Sequence, residues 1–270
     1  MAKLGTVSLA DFKHRKDSLV DMVRVLVPKC VKTADGKNLF EFDVSILDDM
    51  KEMVQGLLSF GYKVCVNLPC ANSITTQEWA EIFNRLKGMN LHAVYLADTY
   101  GGCTVFNVTE MLHIVRKSMK ETSVQFNIGF HSHNNQGDAL EKTQRIVQAG
   151  ATIIDSCIFG LGRGAGNLES EVAALRFNNT VKREESIVSM IGLLEFIDAH
   201  ILSKREYMKR PFAMRHPLYI VAGYLDLHPD YVDCLLKRDT SIREDVNTMI
   251  QLDADTRLSN ERNFSEKLLL

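Results

Sequence analysis

The sequence predicts an α/β chain of the TIM (β/α)8-barrel type that lacks about two N-terminal β/α units and ends in a helical section. Three observations carry this. Short β-branched runs alternate with amphipathic stretches, polar residues collect where successive runs end, and the alternation stops after Asn167. Such alternation belongs to parallel sheets with crossover helices. Doubly wound sheets share it, so the rhythm by itself does not select a closed barrel.

Asp21-Met-Val-Arg-Val-Leu-Val27 reads as a buried strand. Residues 43–58 follow with Val44, Leu47, Met50, Val54 and Leu57 at helical spacing. Residues 62–68 form the next strand, and 75–87 a helix opened by Thr75-Thr-Gln-Glu78. The pattern repeats as strand 92–97, helix 105–119, strand 125–131, helix 137–149 and strand 152–156. Beyond Asn167, residues 169–177, 185–204, 216–225 and 229–237 look helical with no strand between them. A full barrel takes roughly 200 to 250 residues, whereas the strand–helix part ends near residue 177 with five clear strands. Residues 1–180 are therefore expected to form an N-terminally incomplete barrel domain, and 181–270 a helical section. From about residue 256 the chain turns polar and is expected to be poorly ordered.

The chain has 270 residues, 46% hydrophobic and 24% charged, with net charge −2. That balance argues against a nucleic-acid partner and an anionic membrane surface. No apolar stretch is long enough to span a bilayer, and the N-terminus lacks the apolar core of a signal peptide. Six scattered cysteines without a Cys-x-x-Cys pair fit reduced thiols in the cytoplasm.

The strongest local feature is Phe130-His-Ser-His-Asn-Asn-Gln-Gly137. Residues i and i+2 of a strand face the same way, so His131 and His133 point together from the strand's end, and two imidazoles there suit one metal ion. Taken alone, the pair also fits a strand simply meeting its loop. The next strand is followed by Ile158-Phe-Gly-Leu-Gly-Arg-Gly-Ala-Gly-Asn167, whose glycines let backbone approach a ligand. There Asn167 offers an oxygen to a metal and Arg163 a cation to an anionic substrate; a tight turn or plain anion loop is the plainer alternative. Before both comes Tyr95-Leu-Ala-Asp-Thr-Tyr-Gly-Gly102, with Asp98 and Thr99 at the strand end. Polar residues converging on one edge of consecutive strands are what a site looks like, although Asp98 also suits a helix N-cap.

These three motifs, in this order and spacing, resemble the DRE-TIM metallolyase (HMG-CoA lyase-like) superfamily, and within it the 4-hydroxy-2-oxovalerate aldolase branch. The resemblance runs from about Leu4 to Asn167 and more loosely to about Lys237. It implies a pyruvate-carboxyltransferase-like barrel that cleaves a 4-hydroxy-2-oxo acid to pyruvate and an aldehyde. It implies His131, His133 and Asn167 as metal ligands, Asp98 and Tyr219 as catalytic groups, and Thr99 and Arg163 as substrate contacts. The implied cofactor is a divalent metal, Mn²⁺ first, with Mg²⁺, Co²⁺ or Zn²⁺ as alternatives. The implied partners are a small 2-oxo acid substrate and a homo-oligomer or aldehyde dehydrogenase. The family's Asp-Arg-Glu-type motif has no counterpart here, in keeping with the length arithmetic. Two rival readings follow: Claisen condensation of an acyl-CoA with a 2-oxo acid, and a non-catalytic truncated barrel.

Overall fold

The computed structural model describes residues 1–29, 31–32, 38–39, 42–177, 191–193, 195–202, 217–238 and 240–259. Its strands and helices run in the order Ala2–Lys3 (β1), Met22–Leu26 (β2), Val31–Lys32 (β3), Asn38–Leu39 (β4), Val44–Ser59 (α1), Lys63–Leu68 (β5), Thr76–Leu86 (α2), Ala93–Asp98 (β6), Asn107–Glu121 (α3), Ile128–Ser132 (β7), Ala139–Gln148 (α4), Ile153–Ile154 (β8) and Ser170–Phe177 (α5). The C-terminal helices are Pro217–Leu225 (α6), Asp230–Leu235 (α7) and Ile242–Ser259 (α8). Six strands pair in parallel in the order β1-β2-β5-β6-β7-β8, while β3 and β4 form a separate antiparallel pair.

The two faces of this sheet differ in chemistry. Val64, Val66, Leu68, Val94, Leu96 and Phe130 pack on one face against buried residues of α1 to α4 such as Leu47, Trp79, Leu112 and Ile146. Their alternates Cys65 and Tyr95 form a small cluster of their own on the other face. Among the described residues the crossover helices α1 to α4 collect on a single face, as in a barrel wall, whereas a doubly wound sheet carries helices on both. Residue contacts therefore decide between the two folds that share the rhythm. No described helix is long and apolar enough to cross a membrane.

Local signals explain the element starts. Asp43 caps α1 by accepting from the Ser45 N–H at 3.1 Å. Thr75 and Glu78 form a reciprocal capping box at the start of α2. Four features depart from the sequence expectations, the β3–β4 pair among them. A sixth strand, β1, lies at the N-terminus, where two residues are too short to show a period. The last barrel strand shrinks to Ile153–Ile154. An additional helix, α8, buries Met249 and Leu252 although its surroundings are strongly polar. The expected helix over 185–204 falls partly outside the described residues, which include a π-helical turn at Asp198–Leu202. Residue 216 and the tail from 260 also lie outside them.

Removing the α2 cap tests this account locally. Thr75→Ala is expected to lower stability by about 1 kcal/mol in urea unfolding, because the Glu78 N–H loses its acceptor.

Candidate active site

Register fixes which side chains meet. In the β6–β7 pair, Ala97 lies opposite His131 and Asp98 opposite Ser132. Phe130 and Ser132 are buried on the helix side, so His131 turns to the other face. There the strand ends enclose a cavity of about 300 Å³ lined by Asn67, Thr99, His131, His133, Arg163 and His228, among others. This is the carboxyl end of the parallel strands, the ordinary place for chemistry in such folds.

One carboxylate organises the floor. Asp155 Oδ2 accepts from Arg24 Nη1 at 2.6 Å and lies 2.9 Å from His131 Nδ1. Burial pushes the Asp155 carboxyl up, but the His131 hydrogen bond and the Arg24 charge outweigh it and hold the group below its ordinary value. With Asp155 as acceptor, Nδ1 carries the imidazole proton and Nε2 presents its lone pair. Arg24 also lies 4.2 Å from the centre of the Tyr95 ring. Gly129 makes room for that ring, because a Cβ there would come within 2.6 Å of Tyr95.

His133 stands edge-on to His131 with ring centres 5.1 Å apart. Its pKa is lowered to about 3, chiefly by burial and then by the charges of His131 and Arg163, so the ring is neutral at ordinary pH. Its backbone pairs with that of Asn167. Asn167 Nδ2 donates to the Leu161 carbonyl at 3.2 Å, whereas its Oδ1 is buried without a hydrogen-bond partner. Gly162 permits this placement, since a Cβ there would lie 2.4 Å from Asn167 Nδ2. Two imidazoles and an amide oxygen whose acceptor capacity is unspent fit a divalent ion that keeps positions open for substrate. The set is neutral, and among the described residues no group of three His, Cys, Asp or Glu side chains is placed to hold a metal.

The other expected site residues divide. Thr99 lines the cavity, with its Oγ1 accepting from the Cys70 N–H at 2.8 Å. Arg163 lines it too, with Nη2 3.2 Å from His228 Nε2. Asp98 does not. Being one residue out of phase with Ala97 and Thr99, it turns to the helix side, where Oδ2 accepts from Lys142 Nζ at 2.7 Å and Oδ1 from the Cys103 N–H at 2.9 Å. Tyr219 likewise stands outside the cavity lining. It is buried in the C-terminal apolar cluster behind Gly164, and its hydroxyl donates to the Asp233 carboxylate.

Four cavity residues and one carboxylate beneath them went unread in the sequence: Asn67, Lys29, Arg24 and His228, with Asp155. Arg24 and Asp155 meet across 131 residues of chain, which no local pattern encodes. Asn67 Oδ1 is a further buried acceptor without a partner. His228 precedes α7, and its pKa is lowered to about 4, first by burial and then by the Arg163 charge.

That lowered value gives a pH dependence of stability. Between about 6.5 and about 4 the unfolded imidazole binds a proton and the folded one does not, so stability falls as pH is lowered through that window. Urea unfolding is expected to register a loss on the order of 2–3 kcal/mol from this group. In His228→Gln that part of the pH slope should disappear; an unchanged slope would remove His228 as its source.

Comparison with known proteins adds family membership. The HMGL-like family model matches residues 6–193. The 4-hydroxy-2-oxovalerate aldolase of Bacillus thuringiensis (strain Al Hakam) is 32% identical over 160 residues, covering 59% of this chain and 46% of that protein. The Carboxydothermus hydrogenoformans protein of the same name is 39% identical over 171 residues, covering 63% and 47%. The chain thus spans about half the length of these curated relatives. Among solved structures, an HMG-CoA lyase from Bacillus subtilis matches with a TM-score of 0.51 at 19% identity, over 70% of this chain and 67% of that one. That likeness concerns the fold: the parallel sheet and its outer helices are those of a TIM-barrel wall. With most of its length matched by the family model and its polar strand ends gathered at one cavity, the chain belongs to the HMGL-like family.

Proposed function

We propose that this chain carries the site of a divalent-metal-dependent aldolase that cleaves a 4-hydroxy-2-oxo acid to pyruvate and an aldehyde. The observation that carries the reading is the alignment of His131 by Asp155 and Arg24 beside His133 and Asn167. The printed names of the sequence relatives, and the family's general use of a divalent metal, support the same reading.

His131, His133 and Asn167 would hold the ion. When bound, it supplies Lewis-acid polarisation of the 2-oxo carbonyl. Two nitrogen donors favour Mn²⁺ over Mg²⁺ on softness. Arg163 brings positive charge to the cavity for the substrate carboxylate, whereas the Lys29 ammonium is held by the Ser73 carbonyl and Glu78. His228 takes the role first given to Tyr219. It lines the cavity and is neutral beside Arg163, and a shift of the Arg163 guanidinium from His228 Nε2 onto the substrate carboxylate would free that nitrogen to accept the C4 hydroxyl proton. The C3–C4 electron pair then passes into the enolate of pyruvate as the aldehyde forms, and the proton held on His228 is available to C3. In this reading Thr99 forms wall rather than reagent, its hydroxyl oxygen being engaged by Cys70. An aldehyde product calls for an oxidising partner such as an aldehyde dehydrogenase.

The neutral donor set favours a second reading, in which the chain binds the ion and lacks turnover by itself. Pyruvate release from 4-hydroxy-2-oxovalerate, followed with Mn²⁺ and with chelator, separates the two. Metal-dependent release is expected, reduced on the order of 100-fold in His228→Gln. Asp155→Asn should weaken Mn²⁺ binding about 10- to 100-fold through the misoriented His131 ring. Binding of Mn²⁺ with no pyruvate formed would select the second reading, and CoA release from acetyl-CoA with a 2-oxo acid would select Claisen chemistry.

A further inference from the structure

Lys142 on α4 is fully buried, and so is the Asp98 carboxylate it meets. Its ammonium donates to Asp98 Oδ2 at 2.7 Å and to the His133 carbonyl at 3.1 Å. Asp138 Oδ1 lies 3.0 Å away as an ion pair without hydrogen-bond alignment. Burial disfavours charge on Lys142, but Asp98 and Asp138 more than offset it and keep the pKa above its ordinary value. Asp98 in turn accepts from the Cys103 N–H and so anchors the turn that follows Thr99 and Tyr100, two residues of the cavity wall.

Such a cluster is a poor way to gain stability. Desolvating an ammonium and its carboxylates costs several kcal/mol per ion, and apolar replacements of whole buried pairs are often neutral. What the arrangement does provide is a fixed point. The ammonium joins the end of β6 to the backbone of His133, which stands just beyond β7. From there the same residue sends its ring toward His131.

We propose that Lys142 is a positioning residue for the metal-binding pair, clamping the His133 carbonyl to the Asp98 carboxylate and thereby setting where the His133 ring stands. The inference rests on the reading of His131, His133 and Asn167 as metal donors. It also gives the Asp98 carboxylate a task, holding the ammonium that holds the His133 carbonyl.

Isothermal titration of Mn²⁺ into the full chain, paired with thermal melts, tests the proposal. Lys142→Met alone would strand two carboxylates, so the informative variant is Lys142→Met with Asp98→Asn. It is expected to melt near the wild type and to bind Mn²⁺ about 10- to 100-fold more weakly. Lys142→Gln with Asp98→Asn, which keeps an N–H donor for the His133 carbonyl on the same neutralised background, should retain affinity within about threefold, and a loss as large as in the Met double variant would overturn the role of that contact. Should the Met double variant fail to fold, Asp98→Asn alone should weaken binding about threefold to tenfold. A folded Met double variant with wild-type affinity overturns the positioning role while leaving the metal site standing. Equal affinities for the wild type and His133→Ala overturn both.

Discussion

A strand turns successive side chains to opposite faces, and at the ends of β6 and β7 that two-residue period sets which polar groups face the cavity and which face the helices. His131 and Ala97 share the cavity face, while Ser132 and Asp98 share the helix face. Shifting either strand by one residue would put an imidazole among the buried apolar side chains of α3 and α4 and a carboxylate into the cavity. Burial prevents that slip, because Phe130, Leu96 and Val94 on the helix side are fully enclosed.

Charge then follows from the faces. The cavity side gathers Arg24, Lys29 and Arg163, and Asp155 is engaged by Arg24 and His131. A carboxylate held below its ordinary pKa stays ionised, and it keeps the imidazole proton on Nδ1. The helix side holds the opposite arrangement, one ammonium among two carboxylates. The two networks flank the His-x-His pair from opposite sides, one through a ring nitrogen of His131 and the other through the carbonyl of His133.

Much of this could be read from the residues in order. The alternation of runs gave the strands and helices, and the i, i+2 spacing brought His131 and His133 to one side. The glycine loop was legible as a place of close backbone approach, and Gly162 occupies a position where a Cβ would collide with Asn167. The face of Asp98 was not legible because it depends on the parity of the strand end, which a turn motif leaves undetermined. Asp155 and Arg24 were missed because their meeting depends on the sheet joining strands distant in sequence. Tyr219 and His228 were hardest. Both lie in the helical section, where apolar spacing says what is buried and not which turn comes to rest over the cavity.

The central claim is that Asp155 frees Nε2 of His131 to act with His133 on one divalent ion. Anomalous diffraction from a crystal soaked in Mn²⁺ tests it most directly. The account predicts a single strong peak at coordination distance, about 2 Å, from His131 Nε2 and from a ring nitrogen of His133. A peak elsewhere in the cavity, or one bound to His131 through Nδ1 with Asp155 displaced, would contradict it.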